Sequence, residues 1–215
     1  MTLVYKPAVA IAAISAADKK MARLIRRVGD FTLEPSKLDD PFRSLLRAIV
    51  YQQLSGKAAA TIHGRVVEAF GVRGKLAPAK LIEAPDEGLR SAGLSRAKVA
   101  AVKDLAAKTL DGTVPTLARL RKMEDQEIVE RLTSVRGIGV WSVEMLLMFK
   151  LGRPDVLPIS DLGVRKGFML TYGHEELPKP TEILKHGECW RPYRSVASWY
   201  LWRAVELERR ADLKK

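Results

Sequence analysis

Asp161 is the residue of this sequence best placed to do chemistry. It follows Pro154-Asp155-Val156-Leu157-Pro158-Ile159-Ser160, a proline-stiffened run that excludes a helix, and it precedes Leu162-Gly163-Val164-Arg165, which opens one. Aspartate is among the best N-cap residues, and capping is the plain role for it. A carboxylate held in that way is also suited to stabilising positive charge on a reacting group or to orienting water. The two roles are compatible, because a cap fixes the carboxylate in place.

Trp141 stands twenty residues before Asp161 and begins the element that delivers it. Glu124 to Thr133 reads as one helix, and Val140 to about Lys150 as another, with Val140, Val143, Leu146, Leu147 and Lys150 at helical spacing. Between them Val135-Arg136-Gly137-Ile138-Gly139-Val140 is too short and too rich in glycine to be anything but a turn. Two glycines two residues apart suit a tight reversal that needs positive φ or a close approach to another surface. Amide hydrogens exposed in such a turn, together with the start of the second helix, make a small anion site that fits a phosphate. An ordinary helix connection, with Gly137 and Gly139 as stop signals, is the alternative.

The stretch LTSVRGIGVWSVEMLLMFKLGRPDVLPISDLGVRKGF, residues 132 to 168, resembles the helix-hairpin-helix DNA glycosylases, and within them the 3-methyladenine DNA glycosylase II type. The resemblance implies that Arg136, Gly137, Ile138 and Gly139 bind DNA through its phosphates, and that Asp161 is the catalytic carboxylate. PFRSLLRAIVYQQLSGKAAATIHGRV is similar to the family segment whose turn pushes a side chain into the minor groove. An apolar wedge there fills the gap left by an extruded nucleotide. That role falls on Leu54, with Gln53 beside it; packing at a helix corner is the alternative for Leu54.

The run from Trp190 through Trp202 resembles the family's closing helix, in which a tryptophan at the Trp202 position stacks on the flipped base. Trp141 and Trp202 are then expected to sandwich an electron-poor base, an attraction of the kind that draws cations to aromatic faces. Burial in the core is the competing role for both tryptophans, and it is the favoured one for Trp199. Met145 lies one turn after Trp141, where close relatives carry an aromatic, so the range of bases accepted stays open. Bifunctional relatives place a lysine nucleophile where this chain has Trp141. The resemblance therefore implies a monofunctional enzyme that uses water and leaves an abasic site.

Composition agrees with a polyanionic partner. The 215 residues include 37 Lys and Arg against 25 Asp and Glu, a formal charge of +12. One cysteine, Cys189, and three histidines exclude an intramolecular disulfide, a four-cysteine iron-sulfur cluster and any recognisable zinc site, so neither metal nor cofactor is expected. A reducing cell interior, cytoplasmic and associated with the nucleoid, is the expected location. Ala8 to Ala17 is apolar but short and reads as a helix started by Pro7, so no signal peptide and no membrane span are expected.

Helical stripes run through most of the chain: Asp18 to Gly29 with a cationic outer face, Asp40 onward with Phe42, Leu45, Leu46, Ile49 and Val50 buried, Ser95 to Leu110, and a long last helix from Pro192. No strand-length alternating run occurs, so the fold is expected to be all-α. The family resemblance implies two helical domains flanking a DNA-binding cleft: residues 40–165 as a central domain, and 1–39 with 166–215 as a second. The expected partner is duplex DNA containing damaged bases, bound by a monomer that excises alkylated purines such as 3-methyladenine and 7-methylguanine. A glycosylase for deaminated or oxidised bases and a non-catalytic DNA-binding protein are the alternatives. The second leaves Asp161 and Trp202 without a purpose.

Overall fold

A computed structural model describes residues 3–36, 38 and 40–213. Every regular element among them is helical, as the sequence leads one to expect, and an isolated bridge between Val72 and Lys75 is their sole β contact. The first helices are α1 (Pro7–Ala17) and α2 (Lys19–Val28), followed by α3 (Pro41–Tyr51), α4 (Gly56–Phe70), α5 (Pro78–Glu83), α6 (Asp86–Ser91) and α7 (Arg96–Leu110). Next come α8 (Leu117–Leu120), α9 (Asp125–Thr133) and α10 (Val140–Phe149). The chain closes with α11 (Leu162–Tyr172), α12 (Pro180–His186), a 3₁₀ turn Gly187–Trp190 and α13 (Arg194–Asp212).

Local chemistry sets most of these starts. Proline occupies the first turn of α1, α3, α5 and α12, where its missing N–H costs nothing. The side chains of Asp18, Ser55, Ser95, Thr116 and Asp161 accept hydrogen bonds from the first amides of α2, α4, α7, α8 and α11. The last helix starts at Arg194 and not at Pro192. Tyr193 is non-helical, with φ −122° and ψ 30°, and its carbonyl accepts the first helical bonds from Val196 and Ala197. No helix among the described residues is long and apolar enough to cross a membrane.

The chain divides into two compact units, Met1–Lys37 with Glu144–Lys215, and Leu38–Val143. The second boundary therefore falls at residue 143 and not near 165. The reason is the segment leading to Asp161, which is fastened along α13. Ser195 Oγ accepts the Val156 N–H at 2.9 Å and donates to the Arg153 carbonyl at 2.7 Å, and the Ser195 N–H donates to the Pro154 carbonyl. Asp155 receives the Arg194 guanidinium on both oxygens, at 2.7 and 3.0 Å. Residues 153–156 are thus held to the C-terminal helix by polar contacts that hydrophobic periodicity does not reveal.

In the Leu38–Val143 unit, the expected stripe of α3 is buried and α3 packs against α7, whose Val99, Val102, Leu105 and Ala106 are buried too, with α5 packed on α7 as well. In the other unit α11 crosses α13 so closely that a Cβ on Gly167 would lie 2.0 Å from the Leu201 carbonyl oxygen, which leaves glycine as the residue that fits. Trp190, Trp199 and Tyr200 fill its core beside Phe168. Asp18 is buried there too and binds more than its helix cap: Tyr172 OH, His186 Nε2 at 2.8 Å and Trp190 Nε1 at 3.0 Å all meet its Oδ2. Burial alone would raise this carboxyl's pKa, but the bonds from His186, Met21, Tyr172 and Trp190 outweigh it and hold the group far below the usual carboxylate range.

Candidate active site and hairpin

Asp161 sits at the N-cap of α11, and its Oδ1 is held from two directions. The Val164 N–H donates to it at 2.8 Å, and the indole N–H of Trp202, on α13, donates at 2.7 Å. The first bond is the cap that the sequence predicts. The second joins two residues 41 positions apart and depends on a small neighbour. A Cβ on Gly163 would lie 2.6 Å from Trp202 Cδ1, 2.9 Å from its Nε1 and 3.0 Å from Asp161 Oδ1, so only the absence of a side chain at 163 admits the indole.

Trp202 is therefore partly committed within the protein. Its ring stacks on Phe149, with centroids 5.6 Å apart and planes 29° apart, while its N–H orients Asp161. It lies half-buried, off the main stripe of α13, whereas Trp199 is core as expected. Met145 is likewise half-buried, on α10. Its neighbour Glu144 was not singled out from the sequence, where it reads as one polar position in an apolar helix. Its Oε2 is buried without a hydrogen-bond partner, and burial followed by the nearby Asp161 charge pushes its pKa up to about 7.

In the Leu38–Val143 unit, the turn between α9 and α10 has the form the sequence requires. Gly137 has φ +80°, a conformation that strains any L side chain. Gly139 has no such backbone need, and a Cβ there would meet nothing within 4 Å. The protein itself supplies no reason for a glycine at 139. Val135 and Ile138 point inward and anchor the turn. Ile138 is only 4% exposed, and its N–H donates to the Val135 carbonyl, so its side chain and its amide are both engaged within the protein. A four-residue reversal between packed helices needs an apolar foot, and Ile138 is that foot. Arg136, Gly137 and Gly139 are exposed, and among the described residues no protein acceptor meets the amides of Gly137, Gly139 or Val140.

Helix α7 braces this turn. Asp104 Oδ2 accepts the Arg136 N–H at 2.7 Å and pairs with Lys108, whose ammonium also reaches the Ser134 carbonyl. Burial opposes ionisation of Asp104, but the Arg136 and Lys108 bonds prevail and lower its pKa. A second turn, after α3, is tied to the first. Gln52 Nε2 donates to the Gly137 carbonyl at 2.8 Å, and Lys98 Nζ closes the end of α3 by donating to the carbonyls of Val50 and Gln52. Held in this way, Gln53 adopts φ +57° and Leu54 is presented 39% exposed, which is not the buried corner that would have made it core. Trp141 is 49% exposed, so it is not core either.

Sequence reasoning thus missed Gln52, Lys98, Asp104, Glu144, Phe149 and Gly163. Gly163, a glycine two residues after a candidate catalytic carboxylate, carried a readable signal. The others act across long sequence separations that no local pattern encodes.

The profile of the HhH-GPD superfamily base excision DNA repair proteins matches residues 46–192. The chain is 35% identical over 196 residues to DNA-3-methyladenine glycosylase 1 of Schizosaccharomyces pombe, spanning 90% of this chain and 86% of that relative. Among solved structures it is similar to a DNA-3-methyladenine glycosidase of Bacillus halodurans, with 37% identity, a TM-score of 0.81, and 91% and 88% of the two chains covered. It is also similar to the S. pombe 3-methyladenine DNA glycosylase in complex with abasic DNA, with 35% identity, a TM-score of 0.75, and 90% and 95% covered.

Proposed function

This chain belongs to the HhH-GPD superfamily of base excision DNA repair proteins, and from that premise we propose that it is a monofunctional DNA glycosylase that extrudes alkylated purines such as 3-methyladenine and 7-methylguanine from duplex DNA and releases them by hydrolysis. The observation that carries the reading is the doubly held carboxylate of Asp161. Cleavage of an N-glycosidic bond leaves the electron pair on the base and positive charge on the sugar. A pre-positioned carboxylate stabilises that charge without having to reorganise during the reaction. Water then adds to C1′ and passes a proton to Asp161 or to solvent. A base alkylated at N3 or N7 is already cationic and leaves as a neutral molecule, so the step needs no strong acid.

The other parts take supporting roles. The open amides of Gly137, Gly139 and Val140 are suited to a backbone phosphate, which positions DNA without reading its sequence. Exposed Leu54, on a braced turn, is suited to filling the gap left by an extruded base. Exposed Trp141 offers an aromatic face to that base, and one copy of the chain supplies all of these groups, so we take the acting species as a monomer located with the DNA of the cell.

The test is a base-release assay on duplexes that each carry one lesion. Release of 3-methyladenine or 7-methylguanine, leaving an intact strand that alkali cuts and no adduct trapped by borohydride, is the expected result. A trapped adduct would point to a lysine nucleophile and a lyase. Release of deaminated or oxidised bases alone would replace the substrate class, and release of none would leave a DNA-binding protein.

A further inference from the structure

Glu144 is the member of the Asp161 neighbourhood for which the reaction above has no use. It lies on α10 beside Met145, and its Oε2 is buried without a partner. An unsatisfied buried polar group is destabilising in an ordinary interior. A half-buried carboxyl group with an oxygen left unpartnered by the protein has a reason to persist where a group from outside engages it. The charge that reaches it is that of Asp161, at the cap of α11, while Met145 and Phe149 on its own helix and Trp202 on α13 are uncharged. A second carboxylate beside Asp161 is therefore unfavourable until a positive charge arrives.

We infer that Glu144 is a specificity residue beside Asp161, whose carboxyl group accepts an N–H of the extruded base and favours bases that carry a positive charge over neutral ones. The inference rests on the glycosylase reading above. Alkylation at a purine ring nitrogen places a formal positive charge on the ring, and the exocyclic amine of adenine offers N–H donors. In the free protein, with its pKa at about 7, Glu144 is divided between acid and carboxylate near neutrality. A cationic base stabilises the carboxylate, so the carboxyl releases its proton to water as the base enters. A neutral base provides no such stabilisation and meets a neutral acid.

The test compares wild type with Glu144→Gln, which keeps the shape of the protonated acid, using release of 3-methyladenine from methylated duplex under sub-saturating conditions between pH 5.5 and 8.5. That cation has no proton to lose near neutrality, and titration of other groups cancels in the ratio of the two proteins. Under these conditions kcat/KM reports groups of the free enzyme. The expected ratio of wild type to variant is near 1 below pH 6 and rises through pH ~7 to about 10-fold, the worth of one charge-assisted hydrogen bond. A ratio that is the same at every pH, whether 1 or a constant loss, would overturn the inference. Should Glu144→Gln fail to fold, Glu144→Ala takes its place in the ratio, and a ratio that does not change with pH again overturns the inference. If wild type releases no 3-methyladenine, it is the glycosylase reading that fails.

Discussion

The indole N–H of Trp202 donates to Oδ1 of Asp161 at 2.7 Å, and the hydrogen atom that stands for a side chain at Gly163 is what lets the two meet. The same oxygen caps α11 through Val164. A carboxylate fixed by a backbone amide and by an indole locked against Phe149 has little freedom to rotate. That rigidity is what the catalytic role proposed for Asp161 requires beyond helix capping.

Asp161→Asn removes the charge and keeps the shape, and the amide oxygen can still accept from Val164 and Trp202. Base excision should fall by about 10²–10³ or more, as when a single pre-organised electrostatic group is lost, while affinity for duplex stays within a few-fold. Single-turnover release and a binding titration check this together; undiminished excision would return Asp161 to capping alone.

Gly163→Ala and Gly167→Ala should separate function from stability. The first places a methyl 2.6 Å from Trp202 Cδ1, so the indole must move and the Asp161 bond is broken or stretched. Excision should drop roughly 10-fold or more, the size of one lost hydrogen bond to a charged group, with a modest change in melting temperature. The second drives a methyl into the Leu201 carbonyl, which is backbone and cannot step aside. It should cost ~1–3 kcal/mol of stability or more through overpacking. Equal effects on rate and stability in both variants would contradict the distinction.

Gly139→Val tests the hairpin without straining it. Its φ is not in the left-handed region, and a side chain there would meet open space, so the melting temperature should stay close to wild type. Binding to damaged and undamaged duplexes should weaken alike, because a phosphate contact carries no base information. Gly137→Val should lose stability as well, since φ +80° strains a β-branched residue. A lesion-specific loss in Gly139→Val would rule out the phosphate role.

Asp18→Asn should destabilise the unit formed by both chain ends by ~2 kcal/mol near pH 7, the worth of hydrogen bonds to a buried charge. The folded-state pKa of Asp18 is depressed, so its contribution is complete above the unfolded value near ~3.9 and declines as pH falls towards the folded one. The gap in melting temperature between wild type and variant should be present at pH 5 and shrink as pH falls below about 4. A gap that widened between pH 4 and pH 2 would mean the sign is wrong.

The hairpin and the helix caps could be read from the sequence because they are local. Glycines two residues apart, an aspartate before an apolar helix and prolines that bar a helix act over a few bonds, so their spacing survives in one dimension. The charge of +12 and the single cysteine also bounded the partner and the chemistry before any fold was known. Nothing in GIG reveals which way the middle side chain, that of Ile138, turns. Only packing buries it.

The tertiary structure decided everything that depends on residues far apart in the chain. Trp202 meets Asp161 across 41 positions, Lys98 closes the end of α3 across 48, and Gln52 holds the Gly137 carbonyl across 85. It also moved the unit boundary to residue 143, through Ser195 and Arg194 gripping residues 153–156. Each of these is a polar contact between elements whose apolar stripes are legible but whose crossing geometry is not. The stripes say that a helix is buried; which side chain of the neighbouring helix ends up within 3 Å of a given carboxylate is set by close packing, and at Asp161 by the missing Cβ of Gly163.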